Sequence, residues 1–562
     1  MPAPRRPDSS NVSPDASAKA SWNGTSGNNF SPGELSGEST LRLTLLLTAL
    51  GAALRFSTLT RQSFWYDEAV SVALARNPVA DLLTGRVRDL GNPPLYPALL
   101  HLWTSIFGVG DGAVRALSAL FGTLTIPVLL AVGRKALPSN VAVVGATLLA
   151  VSPFHLQMAQ EARAYTLLAL LGTLATFALL LATEAPRRLG PWLLLAVSTA
   201  ALALTHYFGF FLAVAHAAYL GTAHRRDRQI LLRGLAAYAL AAAIFAFWLP
   251  QLFAQLGVQG NLARSAESWY LHLVATPLVF AYGTTLVWKD NAHLFRLILG
   301  GLGALAFAGA AGFGLYQSFF KRWLGRTTVT NGNDGGTDQA QAAAERRPTR
   351  LLILWLVLPV LIPAAISVLA SPLYNTRYVI LASLPFYLFA AAGLLALPQH
   401  LRTATAGVIV LAMGASTLSY LSRPVKHQWR EAAAFIEAVR EPNDRLLFNA
   451  DYTETSYAHY AGASGQRIRL LPAPVSPQGS PGATDEATRG ADATPRLFGA
   501  AGAGAPTEDV GVRLGGPGRV WLISADPDRD VAAQATAFFA KWTARPITSL
   551  RGIDIQLFES PR

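Results

Sequence analysis

Apolar runs of about the length a helix needs to cross a bilayer recur through most of this chain, and no soluble core could absorb that many of them. Charged residues make up only 14% of the sequence, where a soluble globular protein carries about 25%. The reading is a polytopic α-helical membrane protein. Its net charge of +13 does not point to nucleic acid, because the Lys and Arg residues fall in short clusters between apolar runs. There is no cysteine, which excludes disulfides, thiol catalysis and Cys-based metal sites.

Those clusters set the topology. They are Arg5-Arg6, Arg134-Lys135, Arg187-Arg188, Arg225-Arg226 with Arg228, Lys321-Arg322 with Arg326, Arg346-Arg347, and Arg402. Placed on the cytoplasmic side, they imply spans near 43–60, 113–132, 140–158, 164–183, 190–206, 208–222, 230–250, 293–316, 351–370, 377–397 and 403–421. That is about eleven spans, with the C-terminus outside. Segments 94–107 and 271–288 are also apolar. Counting either as a span would move basic clusters to the wrong face, so both are expected to lie in the outer interface, anchored by Trp103, Trp269, Tyr270 and Trp288. If both cross, the count rises to thirteen.

Residues 1–40 are rich in Ser, Asn, Gly and Pro and read as a disordered cytoplasmic tail; no cleaved leader is expected. External loops are expected at 61–112 and 251–292, and a disordered cytoplasmic loop at 327–349. Residues 422–562 read as a small extracytoplasmic α/β domain. It has helices at 429–439 and 530–542, strands at 445–449, 519–524 and 553–558, and a long loop at 473–517.

The acidic pair Asp67-Glu68, within WYDEAVS, follows the first span at the outer face. Ionisable groups next to a bilayer are costly and tend to mark functional sites. One carboxylate could take a proton from an acceptor hydroxyl, and the other could orient it or help bind a divalent cation. An ordinary solvated loop pair is the bland alternative. Further polar groups share that face: Asn92, Tyr96 and His101; Arg115; Gln160, Glu161, Arg163 and Tyr165; His206 and Tyr207; Arg377 and Tyr378. Each has a structural reading as an interfacial, capping or snorkelling residue. Together they would suit a cavity for a phosphorylated, membrane-embedded substrate, with arginines for the phosphate.

The order of motifs resembles the GT-C superfamily of membrane glycosyltransferases, nearest the bacterial branch of protein O-mannosyltransferases and aminoarabinose transferases. The motifs are the DE pair, NPPLY running into LLHLW, R-x-L-S-A-L-F-G from Arg115, SPFHLQMAQEARAY, THYFG and TRYV. The stretch Lys426 to Ala434, K-x-x-W-R-E-A-A-A, resembles the junction after the last span in that branch. The resemblance covers about 41–440. It implies a GT-C transmembrane catalytic domain in the cytoplasmic membrane and a polyprenyl-phosphate sugar donor. An inverting transfer to a hydroxyl acceptor on a lipid, glycan or protein would follow. By position, Asp67 would be the general base with Glu68 beside it, and Arg115 would lie near the cavity mouth. Glu161, Arg163 and Tyr165 would line the site, and Arg377 would contact the lipid phosphate. His206 would touch sugar or, with Asp67 and Glu68, a possible divalent cation. The rival from another class is a transporter or flippase, which would carry charges inside its spans and broken helices in matching halves. The span interiors here are mostly Ala and Leu.

Overall fold

The computed structural model describes residues 37–89, 91–262, 269–283, 294–317, 335–423, 425–448, 451–461, 466–469, 518–525, 539 and 542–560. Helix α1 (Gly37–Phe56) opens the bundle. Three short helices follow: α2 (Tyr66–Ala75), α3 (Val79–Thr84) and α4 (Leu95–Phe107). Helices α5 (Asp111–Ala136), α6 (Ser139–Val151), α7 (Pro153–Ala159) and α8 (Tyr165–Glu184) build its centre. Around them stand α9 (Leu189–Ala203), α10 (Gly209–Ala223), α11 (Arg228–Phe245), α12 (Leu249–Leu262), α13 (Trp269–Tyr282) and α14 (Leu294–Tyr316). Helices α15 (Gly335–Leu369), α16 (Ile380–Ala396) and α17 (Gln399–Ser422) complete the bundle.

Each expected span coincides with a helix. By length and apolarity six of these can cross a membrane, or seven if the bent pair α6–α7 counts as one. The remaining apolar helices are shorter: α4 and α13, but also α9, α10, α16 and the apolar part of α14, which were expected as spans. Four expectations need correction. The tail expected to be disordered to 40 gives way to α1 at Gly37. The second external loop holds α13 near the helix expected at 271–288, but also the end of α12, which was not expected. The loop 327–349 is not without structure, since α15 begins at Gly335; its DQAQAAAERR stretch is rich in good helix formers. The span expected from 377 starts as α16 only at Ile380. The expected disorder of 1–36, the long loop 473–517 and nearly all of the 530–542 helix fall outside the described residues.

The span expected at 140–158 is broken. Between α6 and α7 the axis turns by 53°. Pro153 has no N–H, and Ser152 takes an extended conformation and caps the new helix by accepting from His155 N at 3.2 Å. The Ala150 carbonyl would be orphaned by the break, and the Leu149 carbonyl keeps only the Ser152 N–H at 3.3 Å. Arg55, fully buried at the end of α1, donates to both at 3.1 and 2.9 Å. Elsewhere the bundle closes by small residues. A Cβ on Gly393 of α16 would lie 1.7 Å from the Ala310 carbonyl of α14, so these two backbones touch.

Contacts bring the turns at 57–65, 160–164, 204–208 and 371–379 and the exit of α17 together at one end of the bundle: Thr58 with Gln160, Glu161 with Arg377, His206 with Tyr378, and Lys426 with Glu68. The basic turns share the other end, where Lys135 pairs with Glu184 at 2.6 Å and Arg350 donates to Thr222 O at 3.0 Å.

The C-terminal region is α/β. Helices α18 (Trp429–Val439) and α19 (Asp451–Ala461) accompany a five-stranded sheet in the order β2-β1-β3-β5-β4. The strands are β1 (Arg445–Phe448), β2 (Gln466–Arg469), β3 (Arg519–Ala525), β4 (Thr543–Leu550) and β5 (Ile553–Glu559). β1 runs parallel to β2 and β3, while β5 is antiparallel to β3 and β4. α18 and β1, β3 and β5 lie where the sequence placed them; α19, β2 and β4 were not anticipated. Trp429, Ile436, Phe448, Tyr457, Trp521 and Ile555 form the core. This domain docks on the site end of the bundle. Tyr460 Oη accepts from Phe64 N at 2.6 Å and donates to Asp111 at 2.8 Å, and Glu431 accepts from Ser63 at 2.8 Å.

Candidate active site

Trp65 starts α2, placing Asp67 and Glu68 in its first turn, where the helix dipole favours negative charge. Their side chains diverge. Glu68 is fully buried and accepts from five donors. Arg115 Nε and Nη2 form a fork at 2.7 and 2.8 Å, Lys426 Nζ adds a bond at 2.7 Å, Ala162 N one at 3.1 Å, and Trp65 N a long one at 3.5 Å. Burial alone would push this carboxyl up, but the Arg115 and Lys426 charges and their hydrogen bonds prevail and hold it at about 2. Arg115 also donates to the carbonyls of Leu59, Gln62 and Ser63, tying the end of α1 to α5. Glu68 is thus a hub with no lone pair left for a metal or a proton.

Asp67 faces the other way. Its side chain is 29% exposed, against 0% for Glu68, 15% for Asp89 and 11% for Glu161. Its partner Arg163 stands 4.0 Å away and also reaches Asp89 at 3.4 Å. Arg163 comes from the turn between α7 and α8, which also carries Glu161. Glu161 is buried and meets Arg377 at 3.9 Å. The Arg377 guanidinium lies over the Trp65 ring at 4.8 Å. Tyr165 stacks on Tyr378 at 6.3 Å, and the His206 ring is 5.2 Å from Tyr378.

The structure therefore brings together Asp67, Glu68, Arg115, Glu161, Arg163, Tyr165, His206, Arg377 and Tyr378. Asn92 joins through Asp89, to which it donates at 2.8 Å. The other candidates have structural partners. Tyr96 is bonded to Ser118 at 2.9 Å, next to Arg163's backbone, and His101 to the Ala75 carbonyl at 2.9 Å. Gln160 caps the end of α1 through the Arg55 carbonyl at 3.2 Å. Tyr207 pairs with Gln255 and accepts from Trp248 at 3.0 Å. Among the described residues no three His, Asp or Glu side chains group as a metal site. His206 Nδ1 accepts from Phe208 N at 3.2 Å.

Three participants went unnoticed as site residues. Asp89 sits three residues before Asn92, and that spacing in a turn was its one available signal. Lys426 follows α17 and swings back to Glu68, while its Nζ lies 6.0 Å from the Trp65 ring. Trp65 supplies the surface on which Arg377 rests.

Residues 91–253 match the family model described as dolichyl-phosphate-mannose-protein mannosyltransferase. Among solved structures the chain resembles ArnT from Cupriavidus metallidurans bound to undecaprenyl phosphate. The TM-score is 0.54 at 14% identity, over 91% of this chain and 97% of that one. The apo state of the same protein gives 0.54 at 13% identity, over 92% and 98%. The apo Archaeoglobus fulgidus oligosaccharyltransferase gives 0.48 at 12% identity, over 76% and 64%. No curated protein matches the chain. The chain shares the fold of these ArnT structures.

Proposed function

We propose that this GT-C-fold protein transfers a sugar from a polyprenyl-phosphate donor to a hydroxyl acceptor at the outer face of the cytoplasmic membrane. The observation that carries the reading is the division of labour in the acidic pair. Glu68 is locked by five donors, while Asp67 is left partly exposed beside two arginines and three aromatic rings. The fold neighbour that holds undecaprenyl phosphate supports the donor class.

In this reading the acceptor oxygen attacks the anomeric carbon opposite the phosphate. Asp67 takes the acceptor proton as the new C–O bond forms, and the bond to the phosphate oxygen breaks with inversion. Arg377 and Arg163 offset the charge growing on the departing polyprenyl phosphate. Trp65, Tyr165 and Tyr378 give the sugar apolar surfaces. Glu68 touches no substrate; it fixes α2 against α5 and the Lys426 linker so that Asp67 points into the cavity. The C-terminal sheet domain is extracytoplasmic with the site.

The test uses purified protein in lipid nanodiscs with labelled polyprenyl-phosphate sugars and a panel of hydroxyl acceptors. Wild type releases label from one donor, and Asp67→Asn loses at least about a hundredfold in rate, the low end of general-base contributions, with an unchanged melting temperature. Full activity in Asp67→Asn removes that residue from the base role. No turnover of any donor by folded wild type sinks the transferase reading.

A further inference from the structure

Four carboxylates crowd the site, Asp67, Glu68, Asp89 and Glu161, against four cations, Arg115, Arg163, Arg377 and Lys426. The cluster is neutral when empty. A donor phosphate brings at least one further negative charge, and the structure has to absorb it. Glu68 and Asp89 are tied by hydrogen bonds, and the Asp67 side chain is 29% exposed. Glu161 differs from all three. It is 8% exposed, its Oε2 has no hydrogen-bond partner among the described residues, and its nearest ion pair, Arg377 at 3.9 Å, is beyond hydrogen-bond length. Arg377 in turn is 27% exposed on its side chain and rests on the Trp65 ring at 4.8 Å.

We propose that Glu161 is a stand-in for the donor phosphate. It balances Arg377 in the empty site, and binds a proton when a phosphate takes Arg377 away. This rests on the reading that Arg377 receives the donor's phosphate. A buried carboxylate deprived of its cation is costly, and protonation removes the cost. The protonated carboxyl becomes a donor and can bond the arriving phosphate oxygen. The groups facing Glu161 are Asp67 and Glu68 from α2, Tyr96 from α4, Tyr420 from α17, Arg377 ahead of α16 and Lys426 from the linker. Burial already pushes its carboxyl up, Lys426 and Arg377 pull it down, and Glu68 and Asp67 add to the rise. Loss of the Arg377 pull can only raise it further.

The experiment is calorimetry of undecaprenyl phosphate binding to the full chain in nanodiscs at pH 7.5, in two buffers of different ionisation enthalpy. Wild type takes up close to one proton more per bound lipid than Glu161→Gln. That comparison cancels the phosphate's own ionisation near pH 6. Glu161→Gln binds about tenfold tighter at pH 8, and the wild-type affinity falls toward that pH while the variant's stays flat. Inorganic phosphate is titrated in parallel: the same uptake assigns the effect to the headgroup alone, and uptake with the lipid only assigns it to the membrane-borne phosphate. Equal proton uptake in wild type and variant, or weaker binding by Glu161→Gln, overturns the stand-in role and leaves the transferase reading intact. No binding by folded wild type overturns both.

Discussion

Adjacent residues of one helical turn take opposite fates here, and burial decides which. Asp67 and Glu68 are adjacent carboxylates whose burial the sequence does not tell apart, yet one is partly exposed and the other is enclosed by five donors. Replacing Glu68 with Gln leaves Arg115 and Lys426 buried without their anion. That should cost about 3–5 kcal/mol, read as a large drop in melting temperature in detergent. Conversely, Arg115→Met strands the carboxylate and should destabilise to a similar degree. The pH dependence follows from the same hub. Its folded-state value of about 2 lies below the ordinary glutamate value of 4.5, so its contribution is complete above about pH 4.5 and is lost as pH falls toward 2. Melting temperature measured from pH 7 to 3 should fall with that profile in wild type. In Glu68→Gln the corresponding part of the fall should be absent. The pair itself was legible as chemistry because acids beside a bilayer are costly. Asp89 was not, because a lone Asp in a polar turn looks like any turn residue until Arg163 is seen bridging it to Asp67.

At the scale of elements, proline alone does not break a helix in this bundle. Pro127, Pro277 and Pro385 lie inside continuous helices. Pro153 coincides with a 53° turn because Ser152 caps the new start and Arg55 satisfies the old end. The sequence read 140–158 as one span, since apolar periodicity runs through the break and the compensating cation comes from another helix. Arg55→Met should leave the Ala150 carbonyl without a donor and the Leu149 carbonyl with Ser152 N alone, costing on the order of 1–3 kcal/mol in melting experiments. It should also lower transfer, because α7 leads directly to Glu161 and Arg163. Normal stability in Arg55→Met would show that the break holds without its cap. Gly393→Leu should be worse, since its Cβ would enter the Ala310 carbonyl. We expect failure to form a monodisperse protein on size exclusion, whereas Gly407→Leu, with open space around it, should behave as wild type.

For the whole molecule, the soluble sheet domain is part of the site rather than an appendage. The linker after α17 brings Lys426 to Glu68, and Gln62 accepts from the backbone N–H groups of Val425 and Lys426 at 3.2 and 3.1 Å. Tyr460 and Arg430 of the domain converge on Asp111, the first residue of α5. Truncation after Arg423 should therefore abolish transfer even if the bundle inserts, and Lys426→Met in the full chain should reproduce much of that loss. Truncation that preserves full activity would separate the domain from the site.

The sequence by itself determined the helical membrane class, the position of nearly every apolar helix, the α/β character of the tail and the acidic pair. These depend on composition and local periodicity, which act within one or two turns of chain. Only the tertiary structure decided that Glu68 is a hub and Asp67 is open. The same is true of the contacts that bring Lys426 to Glu68 and Asp89 to Arg163, of the partners that His101, Gln160 and Tyr207 take, and of the bend at Pro153. Those outcomes depend on charges and backbone groups hundreds of residues apart meeting in a low-dielectric interior. There, each buried polar atom must find a partner, and no local pattern records which one it finds.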